Sequence, residues 1–182
     1  MKRKALIIYC PNTRSGPLAG PTQDALNLQK YLMSPTGGSW VKKEIGFLKN
    51  PNREKVEAVV NSFMKDNDYT FIVFSGHGYI NMSEHGKQYL ELHDVDIPLR
   101  TLFTNAQRQT IIVDACRGHF TFEKITLREE SAAFLGDIEG LTPLKARRIF
   151  DNAVMLAEKG ITVLYAASEN ESAIDSPSGG AY

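Results

Sequence analysis

Two reactive side chains stand in short blocks punctuated by glycine: His77 in Ser75-Gly-His-Gly78 and Cys116 in Asp114-Ala-Cys-Arg-Gly118. A thiolate is a nucleophile, and an imidazole beside it can draw off the thiol proton and return a proton to a leaving amine. A Cys–His couple therefore cuts amides near neutral pH. Glycines around His77 leave the backbone bare for an approaching substrate carbonyl, and the amides of Gly78 and Cys116 are the candidate donors to the developing oxyanion. Taken singly, each residue has a plainer use: a lone cysteine is a small core hydrophobe and a lone histidine a packed polar group. Together they carry more weight. Both blocks directly follow apolar runs, and they lie 116 − 77 = 39 residues apart across one strand-helix unit.

Such placement requires particular elements. Residues 5–10, 69–74, 109–114 and 161–166 are continuous apolar runs rich in β-branched residues, the pattern of strands buried on both faces. Residues 40–48 alternate instead, which predicts a strand nearer the sheet edge. Thr22 is the expected cap of a helix carrying Ala25, Leu26, Leu28, Gln29 and Leu32, spaced by three and four. A second helix opens after Asn50-Pro51, with Val56, Val59, Val60, Phe63 and Met64 as its apolar stripe. A third covers 144–159, with Ile149, Ala153, Leu156 and Ala157 inward and Gly160 as its stop. Residues 79–92 predict a polar hairpin, followed by a short helix around 98–105. Residues 120–143 show no periodicity and read as a linker; the tail 168–182 is polar and glycine-rich. Strands alternating with helices predict a three-layer α/β/α sandwich around a mostly parallel sheet. In such sheets chemistry collects at the carboxyl ends of the strands, where His77 and Cys116 stand.

Length and composition agree with one domain over 1–182, since domains average about 150 residues. The 21 basic and 21 acidic residues cancel, which leaves no net field for a phosphate backbone or an anionic lipid surface. No apolar run approaches the roughly 20 residues that cross a bilayer, and the run after the basic start is too short for a secretory leader. Two cysteines make no disulfide framework, so a reducing cytoplasm is the expected setting. Cys10 reads as a core residue.

The block 114–118 resembles the signature of the caspase-like cysteine peptidases, the clan of caspases, metacaspases, paracaspases and their bacterial relatives: Gln-Ala-Cys-[Arg/Gln/Gly]-Gly, with a histidine about 50 residues upstream. It departs at Asp114, and the spacing of 39 is somewhat short. The block 75–78 resembles the metacaspase form of the histidine motif. The run Leu18-Ala-Gly-Pro-Thr-Gln-Asp24-Ala-Leu-Asn-Leu28 resembles the family's first loop and helix. The likeness extends from about Lys4 to Tyr182 and is nearest to metacaspase-like or bacterial caspase-like members. It implies a caspase-like fold and an endopeptidase acting on protein or peptide substrates, with Cys116 as nucleophile, His77 as proton carrier and no cofactor in the chemistry. In metacaspases and paracaspases an Asp at the place of Asp114 works with an Asp in the first loop-helix motif, here Asp24. Ser75 matches a third pocket position, so the resemblance implies cleavage after Arg or Lys. Aspartate specificity is the alternative; it would use arginines, and Arg14 lies in a suitable loop. Asp24 also has a plainer use, as a helix-start charge that complements the macrodipole.

Further expectations follow from the same likeness. Residues 120–143 occupy the place of the linker between large and small subunits, with Lys124, Arg128, Lys145, Arg147 and Arg148 as basic candidates for self-cleavage in or near it. Some metacaspases require calcium, which makes Asp94, Asp96 and Glu123 candidates for an activating Ca2+; a solvated acidic loop is the plainer reading. The sequence Gly179-Gly-Ala-Tyr182 resembles the entry to the small-subunit part, expected here to be short or incomplete, with an exposed sheet edge open to a second copy or an activating partner protein. His77, His85 and His93 share no face that would hold zinc. The rivals are a non-catalytic caspase-fold scaffold and a flavodoxin-like nucleotide-binding module, although no phosphate-cradling glycine motif follows the first strand.

Overall fold

The computed structural model describes residues 1–115 and 141–166; Cys116, most of the linker and the C-terminal tail lie outside the described residues. Strand β1 (Arg3–Tyr9) leads into a small antiparallel pair, β2 (Asn12–Thr13) and β3 (Gly16–Pro17), and then into helix α1 (Pro21–Met33). Next come β4 (Ile45–Lys49), α2 (Arg53–Asn61) and β5 (Tyr69–Ser75). An antiparallel excursion of β6 (Gly78–Asn81), β7 (Lys87–Glu91) and β8 (Asp96–Pro98) precedes β9 (Arg108–Asp114), α3 (Pro143–Leu156) and β10 (Gly160–Tyr165). Five strands form a parallel central sheet in the order β10-β9-β5-β1-β4. The expected α/β sandwich with a parallel sheet is present.

Strand periodicity explains the layers. Successive side chains of a strand point to opposite faces, so Leu6 and Ile8 of β1 join Ile72, Phe74, Ile111 and Val113 against Val56, Val60 and Met64 on one side. Ala5 and Ile7 face the other side, where Ala25, Leu32 and Trp40 meet the half-buried Phe150 and Val154. Both faces are thus covered by helices, as the continuous apolar runs require.

Local chemistry moves several boundaries. Helix α1 is capped by Gly20 without a side-chain bond and starts at Pro21, whose fixed φ suits a first helical position; Thr22 is not its cap, and Leu26 is exposed. Residues 40–44 hold a buried Trp40 and a 3-10 turn at Lys42–Glu44, so the edge strand is confined to β4. Asn52 caps α2, its side chain accepting from the Lys55 amide at 2.9 Å. Phe63 and Met64 lie past its end and still pack in the core. The short helix expected around 98–105 is a 3-10 turn at Leu99–Leu102. In α3 the inward face is Ala146, Phe150 and Val154 rather than the expected set: Ile149 is 54% and Leu156 87% exposed. Trp40 selects that face, meeting Phe150 edge-on with centroids 5.7 Å apart. Gly160 opens β10 at φ 145°, and the helix has already ended at Leu156.

Candidate active site

The strand ends come level by register. Tyr9 pairs with Ser75 and Ser75 with Asp114, so β1, β5 and β9 finish side by side. The strand order also reverses between β1 and β5, and at such a switch the loops part to leave a crevice. Two backbone bonds tie the loops together there: Cys10 N donates to Ser75 O at 2.9 Å and Gly76 N to Asp114 O at 3.1 Å.

The glycines flanking His77 are a steric requirement. A Cβ on Gly76 would stand 3.0 Å from Cys10 Cβ, and one on Gly78 would stand 2.9 Å from Ala115 Cβ and 3.0 Å from Tyr89 O. The residue after His77 is therefore pressed against the residue that precedes Cys116 in the chain. His77 is half-buried, and its Nε2 is buried with no hydrogen-bond partner among the described residues.

Beside the histidine lies an acidic cluster. Ser75 Oγ is 3.2 Å from Asp24 Oδ2 and 3.4 Å from Asp114 Oδ2. Ser75, Asp24 and Asp114 are only 3%, 7% and 7% exposed. A hydroxyl has one proton and can donate to one carboxylate at a time, so two acids converging on it at low exposure concentrate negative potential. A cation is favoured next to such a pair. Asp24 also lies in the first turn of α1, where the helix dipole favours its charge. The expectations for Asp24, Ser75 and Asp114 thus converge on one place.

Arg14 stands elsewhere. Its guanidinium pairs with Asp96, its Nε lies 3.8 Å from Glu91 Oε1, and the Tyr79 hydroxyl donates to Asp96 at 3.0 Å. Burial and that acceptor push the Tyr79 phenol up to about 12. Of the calcium candidates, Asp96 is engaged with Arg14 and Tyr79, Asp94 accepts from the Arg53 amide at 3.3 Å, and Glu123 lies outside the described residues. Lys145, Arg147 and Arg148 fall in α3, with Arg147 bonded to Glu44 at 2.9 Å; Lys124 and Arg128 are outside the described residues. Cys10 is fully buried, and burial, reinforced by Glu91, pushes its thiol up to about 12. It is a core thiol, as its sequence context implies.

Sequence reasoning passed over Glu91, placed within a polar hairpin and given no role. It is buried between Leu90 and Leu92, and it holds Ser15 through both carboxylate oxygens. The available signal was an acid flanked by two leucines at a strand end.

Three comparisons bear on kinship. Caspase-1 from Spodoptera frugiperda matches the structure with a TM-score of 0.63 at 14% sequence identity, covering 98% of this chain and 65% of that chain. That identity speaks for the fold, and the chain spans less than two thirds of that protein's length. A search of curated proteins gave no match. The family model for the caspase domain matches residues 2–182. With a caspase-like sheet, and with the histidine block and Asp114-Ala115 at its carboxyl edge, the chain belongs to the caspase-domain family of cysteine peptidases.

Proposed function

We propose that this protein is a cysteine endopeptidase that cuts after arginine or lysine. Cys116 sulfur attacks the scissile carbonyl after its proton passes to His77, and the amides of Gly78 and Cys116 hold the oxyanion. The C–N bond then breaks as His77 gives its proton to the leaving amine. Water, activated by His77, hydrolyses the thioester and restores the thiol. Asp24, Ser75 and Asp114 receive the cationic side chain that precedes the scissile bond.

One observation carries the reading: the buried Asp24–Ser75–Asp114 cluster stands at the same strand ends where Gly78 packs on Ala115, one residue before Cys116. A peptidase site needs its nucleophile, base and specificity pocket within one substrate residue of each other, and these contacts support that arrangement. Arg14 is engaged with Asp96 and Glu91, which counts against its receiving an aspartate. Within the family the reading is nearest to metacaspase-like or bacterial members acting in the cytoplasm. No helix among the described residues is long and apolar enough to cross a membrane.

The test is turnover of fluorogenic peptides ending in Arg, Lys or Asp, with and without calcium, for wild type and Cys116→Ala. Arg or Lys turnover abolished by the substitution is expected. Asp turnover would overturn the pocket and leave the nucleophile standing; no turnover on any peptide would leave two readings, a scaffold or a zymogen that awaits an activator.

A further inference from the structure

We infer that Glu91 is a positioning residue for His77, its buried carboxylate standing across a strand pair from the imidazole and stabilising it as the cation formed when Cys116 gives up its proton. The inference rests on the Cys116–His77 reading above.

The register supplies the geometry. In the β6–β7 pair Gly78 stands opposite Leu90, so the next rung sets His77 opposite Glu91, closed by Glu91 N donating to His77 O at 2.9 Å. Directly opposed residues of an antiparallel pair send their side chains to the same face, with Cβ atoms about 4.5–5.5 Å apart. Glu91 is 5% exposed, and its carboxylate is fixed in place. Ser15 N donates to Oε1 at 2.8 Å, Ser15 Oγ donates to Oε2 at 2.5 Å, and Arg14 Nε lies 3.8 Å from Oε1.

Charge distinguishes this role from simple anchoring. A glutamine has one acceptor oxygen where Glu91 uses two: it can keep the Ser15 amide bond, with the Ser15 hydroxyl turned to accept from its NH2, but it cannot keep the charge. Burying a carboxylate is costly unless cations profit from it, and the cations within reach are the half-exposed Arg14 and the imidazolium of His77. Burial alone would push the Glu91 carboxyl up, but the Ser15 bonds and the neighbouring His77 outweigh it and hold the group below its ordinary range. The anion is therefore in place before the proton moves. An acid that orients an imidazole and stabilises its charged form is a recurrent device of nucleophilic hydrolases. Here it would act through space, while the same carboxylate ties the 12–17 loop to the histidine's strand pair.

The experiment compares wild type, His77→Ala, Glu91→Gln, Glu91→Asp and Ser15→Ala. It reads kcat and KM on an Arg peptide and the iodoacetamide alkylation rate of Cys116, resolved by peptide mass spectrometry. Cys10, fully buried, reports opening of the core; because Glu91 itself helps hold its thiol up, it is read against Glu91→Asp and Ser15→Ala, which keep the carboxylate. Glu91→Gln is expected to lower kcat and Cys116 alkylation about tenfold with KM held within about twofold, the effect of one charge at cross-strand distance in intermediate dielectric. Glu91→Asp should recover part of the loss, and Ser15→Ala, which keeps the carboxylate, should lose less than Glu91→Gln. Wild-type rates in Glu91→Gln, or an equal loss in Ser15→Ala, would overturn the inference while the dyad stands. Equal alkylation of wild type and His77→Ala would overturn the dyad itself, and the inference with it. If Cys10 becomes reactive in Glu91→Gln, the comparison of Glu91→Asp with Ser15→Ala decides, and the larger loss in Ser15→Ala would overturn the inference.

Discussion

Ser75 Oγ, with a carboxylate on either side within 3.4 Å, makes a sharp statement about single substitutions. Asp24→Asn or Asp114→Asn keeps shape and removes charge. On the proposed reading either change costs binding of a cationic side chain about 2 kcal/mol, the low end for breaking a buried charge pair, or about thirtyfold in kcat/KM. The loss should fall on KM, and Cys116 alkylation should be unchanged; a loss of alkylation equal to that of kcat/KM would mean that the acids serve the nucleophile and not the substrate. Gly78→Ala tests positioning. Its Cβ would meet Ala115 Cβ at 2.9 Å, so the two loops must part. A shift approaching 1 Å costs about a hundredfold in kcat, with the melting temperature little changed.

At the scale of elements, the join between α3 and the sheet depends on a buried ionic group. The Arg3 side chain is fully buried; it bonds Asp151 and Gly38 O at 2.8 Å each, and its Cζ lies 4.2 Å from the Trp40 ring centroid. Glu44 is shared by Arg3 and Arg147. Removing one member of such a group leaves buried charge uncompensated. Arg3→Met is thus expected to lower stability by about 3 kcal/mol, seen as a lower urea midpoint at unchanged slope. Arg147→Ala, at a more exposed position, should cost less. This network is also why the sequence-based choice of inward face for α3 failed: periodicity locates a stripe, but Ile149 and Phe150 are both apolar neighbours, and the ring of Trp40 together with the Asp151–Arg3 pair picks Phe150. The same ionic group gives Arg147 a structural partner, and Lys145, Arg147 and Arg148 all sit in a helix, a poor shape for a peptidase cleft that needs an extended chain.

For the whole molecule, acid should loosen the fold at two separate places. Burial alone would push the Glu44 carboxyl up, but the bonds from Arg147 and the Val41 amide outweigh it, so the group is held below its ordinary value of 4.5; Glu91 is lowered in the same net direction. A folded value below the unfolded one means that the folded state prefers the anion. The stabilisation is complete above that ordinary value and is lost as pH falls through the folded one. Urea midpoints should therefore be flat from pH 7 to 5 and fall below about pH 4.5. Glu44→Gln should flatten that acid slope, and an unaltered slope would show that Glu44 contributes no linkage.

Much of this was legible in sequence for plain reasons. The apolar runs at 5–10, 69–74 and 109–114 read as central strands and are so; the glycines beside His77 were expected to leave room for a substrate carbonyl, and the structure shows Gly78 making room for Ala115 and the Tyr89 carbonyl. Strand ends therefore directed attention to the candidate site before any coordinate did. Register, strand order and side-chain pairing were not legible, because they depend on which strands become neighbours rather than on what each contains. Only the adjacency of β5 to both β1 and β9 brings Asp24, Ser75 and Asp114 together from positions 51 and 39 residues apart. Likewise, only the β6–β7 rung sets Glu91 opposite His77, and only the packed loop gives Arg14 to Asp96 and Glu91. Residue types are local and can be read one at a time; a charge acquires its partner through contacts that chain topology alone decides.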